Sequence, residues 1–259
     1  MTDPITALIA TSDLKRAALQ ALRPLRSDSV ERLRRYFDID LTHTSNAIEG
    51  NTLSAVETEL VIDKGITIAG KPLRDHLEAV DHYEAISLAR DLAARDVAVS
   101  EADVRQLHAL VVRRSRPDIA GRYADQGRLV RTESGRHTFP SPVEIPALMG
   151  DFGTWLKVAE PSAATAFEAH RRLVDIHPFN DGNGRTARLL MNLLLIRAGH
   201  PPVAVRPLDR LEYVRALATA QAGEGTEAYQ RLMFKRLTET LDEYLTLYQS
   251  ALADEIPGD

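Results

Sequence analysis

Between His177 and Arg188 the chain gathers a base, an acid, two glycines around an asparagine, and two arginines within twelve positions. Together they could assemble a proton acceptor, a metal ligand and an anion cradle. Pro178 disfavours helical geometry at His177, so the preceding helix is expected to stop there and present the imidazole at the mouth of a loop. Gly182, Asn183 and Gly184 all tolerate positive φ, and successive residues of that kind can turn their backbone N–H groups toward one anion. The helix predicted to follow adds unpaired N–H groups and a positive dipole end. Arg185 and Arg188, three apart, share one face of it, and guanidinium forks suit bidentate phosphate contact. Since that helix is otherwise apolar, its guanidinium groups require anionic partners. Asp181 is an oxygen ligand beside the cradle, where Mg²⁺ is commonly held by one or two carboxylates, waters and the phosphates themselves. Histidine, with an ordinary pKa of about 6.5, accepts protons at neutral pH. The plain alternative is a helix–turn–helix corner, in which Gly-Asn-Gly makes a tight turn and His177 is structural; seven suitable residues in one short stretch favour the phosphate site.

A second segment, Ser45-Asn46-Ala47-Ile48-Glu49-Gly50-Asn51, places Glu49 just before a glycine that can cap a helix end. A carboxylate there faces the negative end of the dipole, which costs roughly 0.3–1 kcal/mol unless a cation answers it. Arg188 is a candidate for that cation. The bland alternative is an exposed glutamate at a fraying helix end.

The elements that position these residues are almost all helical by periodicity, with no repeat and no low-complexity tract. Ser54 and Glu57 have capping-box spacing and Gly65 supplies a stop, so Ala55 to Lys64 reads as a short helix. Longer helices are expected from about Arg74 to Ala94, after Ser100 through about Arg114, from Ile145 to Val158, and from Pro161 to Ile176 with Pro161 in the first turn. Leu208 to Gln221 and Thr226 to Leu252 should close the fold. One strand-like region interrupts this pattern: Arg128 to Thr132 and Arg136 to Phe139, joined by Glu133-Ser134-Gly135, fit an exposed β-hairpin ended by Pro140 and Pro142. The expected class is all-α with a small β-hairpin flap, divided as 1–95, an N-terminal helical region, and 96–259, the site-bearing core, in one compact unit.

Composition excludes more than it identifies. Of 259 residues, 44% are hydrophobic and 27% charged, which suits a self-sufficient globular core. The absence of cysteine removes disulfides, thiolate metal sites and thiol nucleophiles. Met1 to Leu14 carries Asp3 and Asp13 and does not read as a secretory signal, so a cytoplasmic location is expected. Leu193 to Ile196, bounded by Asn192 and Arg197, is too short to span a bilayer and reads as a core helix, so no membrane association is expected. A net charge of −5 gives no general attraction to nucleic acid, and Arg113, Arg114 and Arg116 read as a solvated face.

His177 to Arg188 also resembles the Fic motif, His-Pro-Phe-x-Asp/Glu-Gly-Asn-Gly-Arg-x-x-Arg, at every specified position. Beyond the motif, Gly65 to Ala85 resembles the family's N-terminal helical region, Gly121 to Ser141 its hairpin flap, and Arg206 to Tyr244 its closing helices. The resemblance implies a protein adenylyltransferase that moves AMP from ATP onto a Ser, Thr or Tyr hydroxyl of a target protein. In it His177 is the general base and Asp181 binds Mg²⁺ between the α- and β-phosphates. Gly182, Asn183 and Gly184 make the anion hole, while Arg185 and Arg188 hold the outer phosphates. The segment from Ser45 to Gly50 resembles the family's inhibitory motif, Ser/Thr-x-x-x-Glu-Gly, whose glutamate pairs with the second motif arginine and hinders the γ-phosphate. A target is expected to dock at the 128–139 hairpin as an added strand. The family also includes enzymes that reverse the modification or transfer other phosphate groups, and a nucleotide-responsive binding module without catalysis is the non-enzyme alternative. Self-modification and homo-oligomers stay open, as does adenine recognition, for which Tyr213 and Gln221 stand in the relevant region.

Overall fold

The computed structural model describes residues 4–22, 24–132 and 135–255. Ten α-helices and one two-stranded antiparallel sheet occur among the described residues. In chain order the first five helices are α1 (Pro4–Gln20), α2 (Ser27–Ile48), α3 (Ala55–Lys64), α4 (Leu73–Ala93) and α5 (Glu101–Val111). The hairpin strands β1 (Leu129–Thr132) and β2 (Gly135–Thr138) follow, then α6 (Ile145–Val158), α7 (Ala163–Ile176) and α8 (Asn183–Arg197). A 3-10 turn at Pro207–Asp209 leads into α9 (Arg210–Gln221), and α10 (Glu227–Asp254) closes the order.

The short helices begin and end where local chemistry dictates. Ser54 and Glu57 form the expected capping box, and Gly65 closes α3 in the left-handed region at φ 62°. Ser100 and Asp103 form a second box at the start of α5. Sequence periodicity carries α5 on to Arg114, but the helix stops at Val111, because the backbone N–H groups of Arg114 and Ser115 turn to the buried Asp81 carboxylate, at 2.9 and 3.0 Å. Ser162, not Pro161, caps α7, its hydroxyl accepting from the Thr165 N–H, so Pro161 lies before the helix instead of in its first turn. The hairpin pairs Leu129 with Thr138 and Thr132 with Gly135; the expected turn residues Glu133 and Ser134 lie outside the described residues.

At the centre stands α8, apolar around most of its circumference and buried from Asn183 to Leu193 with the exception of Gly184. One side meets Ile86, Leu107, Val111 and Phe179, and the other meets Phe167, Leu217, Tyr229 and Leu237. Its N-terminus therefore sits in a fixed frame built from α4, α5 and α7.

Candidate active site

The loop from His177 to Gly182 is held by the first residue of α8 and by His108 of α5. His177 takes a left-handed conformation at φ 50°, rare for a residue with a Cβ, while its N–H still donates to the Leu173 carbonyl at 3.0 Å. The Asn183 amide closes a ring with Phe179, accepting from its N–H at 2.9 Å and donating to its carbonyl at 2.7 Å. Phe179 is fully buried and lies flat on His108, ring centroids 3.7 Å apart. His108 is itself oriented: the Gly121 N–H donates to Nδ1 at 3.1 Å, so the proton sits on Nε2, which donates to the Asp181 carbonyl at 3.0 Å. Burial pushes its pKa down to about 4 and keeps the ring neutral. Gly182 has φ 77°, and a Cβ there would stand 3.0 Å from the Val112 side chain.

Of Gly182, Asn183 and Gly184, all of which tolerate positive φ, only Gly182 adopts it. Asn183 and Gly184 are already the first residues of α8, and the Asn183 amide faces the loop's interior. The first intrahelical bond runs from Thr186 N–H to the Gly182 carbonyl, so the N–H groups of residues 183–185 precede the ladder. Those groups make the anion-attracting end of the helix.

His177 stacks on Phe139, the residue after β2, with centroids 3.8 Å apart. Burial pushes its pKa down to about 4, opposed by the Val174 carbonyl and the Glu49 carboxylate and reinforced by Arg128 and His137. The ring is a neutral proton acceptor throughout the neutral range.

Asp181 lies among cations. Its carboxylate accepts from the Gly182 N–H at 2.7 Å and from Arg74 at 3.1 Å, with Arg185 at 3.7 Å and Arg116 at 4.0 Å. Among the described residues no three acidic or imidazole groups converge on a metal position, so Asp181 offers a single carboxylate. Such a ligand fits Mg²⁺ only where phosphates complete the shell. The Arg185 side chain, 2% exposed, has Glu78 at 3.4 Å, while its Nε and Nη1 lack a protein hydrogen-bond partner. Its fork thus makes only loose ion pairs, with Glu78 and with Asp181 at 3.7 Å, and could turn to a stronger anion. Glu78 and Arg74 escape a sequence reading because both sit in an unremarkable helical run, and His108 is hidden as one polar residue on an apolar stripe. Nor are Arg114 and Arg116 a purely solvated face: Arg114 bridges Asp81 and Glu84, and Arg116 flanks the loop.

Arg188, buried on the same face of α8, is bonded to the end of α2 through Nε and Nη2. Its Nε donates to the Ser45 hydroxyl at 2.9 Å, and its Nη2 donates to the Ser45 carbonyl at 2.8 Å and to Glu49 at 2.7 Å. Although loss of hydration opposes ionisation, Arg188 holds the Glu49 carboxyl below its ordinary range. Arg210, from the start of α9, donates to the Ile48 carbonyl at 2.8 Å. Two guanidinium groups thus answer the negative end of α2, where the sequence suggested one. A Cβ on Gly184 would stand 2.3 Å from the Glu49 carboxylate, so the two segments are in close contact. Tyr213 does not face the cleft: it is 3% exposed, with its hydroxyl 2.7 Å from His170. The Gln221 side chain hydrogen-bonds Asp175.

A helical frame that aims an anion-binding helix end, a neutral histidine and a carboxylate at one loop is the arrangement of a Fic domain. Residues 98–195 match the model of the Fic/DOC family, and this part of the chain belongs to it. Protein adenylyltransferase Fic of Nematostella vectensis is 35% identical over 78% of this chain and 47% of its own length. Its namesake in Drosophila willistoni is 32% identical over 96% of this chain and 49% of its own. The chain therefore spans about half the length of the curated relatives it matches. Among solved structures, residues 134–508 of Fic-1 from C. elegans superpose with a TM-score of 0.83 at 28% identity, covering 95% of this chain and 73% of that one. A Fic domain containing signaling protein from Bacteroides thetaiotaomicron gives 0.78 at 26% identity, covering 99% of each. Among the described residues no helix is long and apolar enough to cross a membrane.

Proposed function

We propose that the chain transfers AMP from ATP to a hydroxyl group of a protein and is restrained by its own Glu49. The observation that carries this reading is the buried Arg188, bonded to both Ser45 and Glu49 at the end of an anion-attracting helix. A guanidinium in that position serves the outer phosphate of a nucleotide and an inhibitory carboxylate equally well, and not both at once. The relatives' common name, protein adenylyltransferase, supports the chemistry.

The N–H groups at the start of α8 and the Arg185 fork would hold phosphate oxygens, while Asp181 would hold Mg²⁺, which when bound neutralises charge on the phosphates. His177, neutral and fixed by Phe139, would accept the proton from the attacking hydroxyl as its oxygen bonds to the α-phosphorus and pyrophosphate leaves. The exposed edge of β1 and β2 offers an extended segment of a target a strand to pair with.

The test is incubation of the chain and of Glu49→Gly with α-labelled ATP and Mg²⁺, followed by a gel for label on protein. If the restrained state is favoured by about 1.4–2.8 kcal/mol, Glu49→Gly should transfer roughly 10- to 100-fold more label. Equal or lower transfer by a folded Glu49→Gly would remove the restraint from the reading.

A further inference from the structure

Beside Arg188 three helices bring together a buried polar chain that the proposed chemistry does not use. Tyr213 of α9, His170 of α7 and Tyr229 of α10 are 3%, 0% and 1% exposed. The Tyr213 hydroxyl lies 2.7 Å from His170 Nε2, and the Tyr229 hydroxyl lies 2.7 Å from His170 Nδ1. Tyr229 also lies 3.0 Å from the Phe167 carbonyl. The Tyr213 hydroxyl lies within electrostatic reach of the Arg188 guanidinium, which is positioned to donate to its oxygen.

These contacts determine the direction of every proton. Two oxygens 3.0 Å apart need a proton between them, and at Phe167 only the phenol of Tyr229 can supply one. With that proton committed, Tyr229 is an acceptor toward His170, so Nδ1 carries the imidazole hydrogen. Nε2 is then bare and takes the Tyr213 proton. The Tyr213 oxygen is thereby left with its lone pairs facing Arg188. Burial, reinforced by Arg188, pushes the His170 pKa down to about 3, so the ring does not charge and reverse the order. Were the order reversed, Tyr213 would point a hydrogen at a guanidinium, donor against donor.

We propose that His170 and Tyr213 are positioning residues for Arg188: the bare Nε2 of His170 keeps the Tyr213 oxygen an acceptor and so holds the guanidinium in line with the phosphate site. This rests on the reading of Arg188 as a ligand of the nucleotide's outer phosphate. The two ends of the imidazole can be replaced separately, since a glutamine amide reaches the place of Nε2 and an asparagine amide that of Nδ1. His170→Gln therefore retains the acceptor for Tyr213, whereas His170→Asn retains only the donor to Tyr229.

The experiment measures ATP binding by calorimetry with Mg²⁺ in the Glu49→Gly chain, alongside melting temperature. His170→Asn and Tyr213→Phe should weaken ATP by about 3- to 10-fold, the range for the net worth of one typical hydrogen bond. His170→Gln should stay within about two-fold of its parent while melting no higher than His170→Asn. Equal losses in the two His170 variants, affinity that simply follows melting temperature, or unaltered binding in Tyr213→Phe would overturn the proposal. Arg188→Ala in the same background separates the two readings, because undiminished ATP affinity there removes Arg188 from phosphate binding. The Arg188 Nε–H resonance, recorded with Glu49 intact, reports on the relay without ATP. It should keep its position in His170→Gln and move in His170→Asn, and an unmoved resonance in His170→Asn rejects the relay.

Discussion

The motif loop and the end of α2 face each other across Arg188, and they are held in opposite ways. The loop's bonds join neutral groups in a tightly packed frame: Asn183 to both polar groups of Phe179, His108 to the Asp181 carbonyl, Gly182 against Val112. Nothing that a charged ligand brings can compete with them. The end of α2 is held by charges on other elements, Arg188 and Arg210, and the Glu49 side chain keeps 40% of its surface open to solvent. An incoming anion competes directly for such a contact, so one region is built to keep its shape and the other to yield.

The sharpest break in that comparison is His177→Ala, which alters the loop's reacting group without altering its frame. Transfer by the Glu49→Gly chain should fall about 10²- to 10⁴-fold while ATP affinity stays within a few-fold. Label transfer at the parental rate would take His177 out of the chemistry.

Gly184→Ala asks which side gives way. With Glu49 present the added methyl meets its carboxylate, 2.3 Å from the new Cβ, and urea unfolding should show a loss of about 1–3 kcal/mol. In Glu49→Gly the same substitution should cost little or stabilise slightly, since alanine suits a helix better than glycine by about 0.5–1 kcal/mol. An identical cost in both backgrounds would mean that the loop, not α2, absorbs the strain.

A smaller release is expected from Arg210→Ala, which leaves Glu49 in place but uncaps the Ile48 carbonyl. Losing an interaction of about 0.5–1 kcal/mol at the helix end should raise label transfer about two- to five-fold, well short of Glu49→Gly. A drop in transfer would assign Arg210 to catalysis instead of restraint.

Least of all should pH matter. With His177 held at about 4, the imidazole is already neutral at pH 6, so the Glu49→Gly rate should change less than about two-fold between pH 8 and 6. The rate should decline only as pH falls toward the depressed pKa. An ordinary histidine, with pKa about 6.5, would lose about three-quarters of its neutral form by pH 6, and a fall of that size would show that the buried environment does not persist during turnover.

Much of this was legible residue by residue. The caps at Ser54, Gly65 and Ser100, the hairpin strands, and the break at His177-Pro178 each follow from neighbours within a few positions. Where local signals misled, a distant group had intervened. Asp81 ends α5 by taking the N–H groups of Arg114 and Ser115, from more than thirty residues away. Asn183, flanked by two glycines and tolerant of positive φ, instead opens α8, because its amide finds both polar groups of Phe179.

The residues proposed for the chemistry, His177, Asp181 and the two arginines, were picked out by sequence alone, because spacing within one turn and one helix dictates which side chains share a face. Sequence also showed that a buried guanidinium on α8 must find an anion. Which anion each one finds was decided only by the tertiary structure: Glu78 beside Arg185, and Glu49 with Ser45 on Arg188. The neutral histidines follow the same division. Their places are visible in the chain, but the depressed pKa values of His108, His170 and His177 come from desolvation by helices far apart in sequence, and burial is a property no local pattern contains.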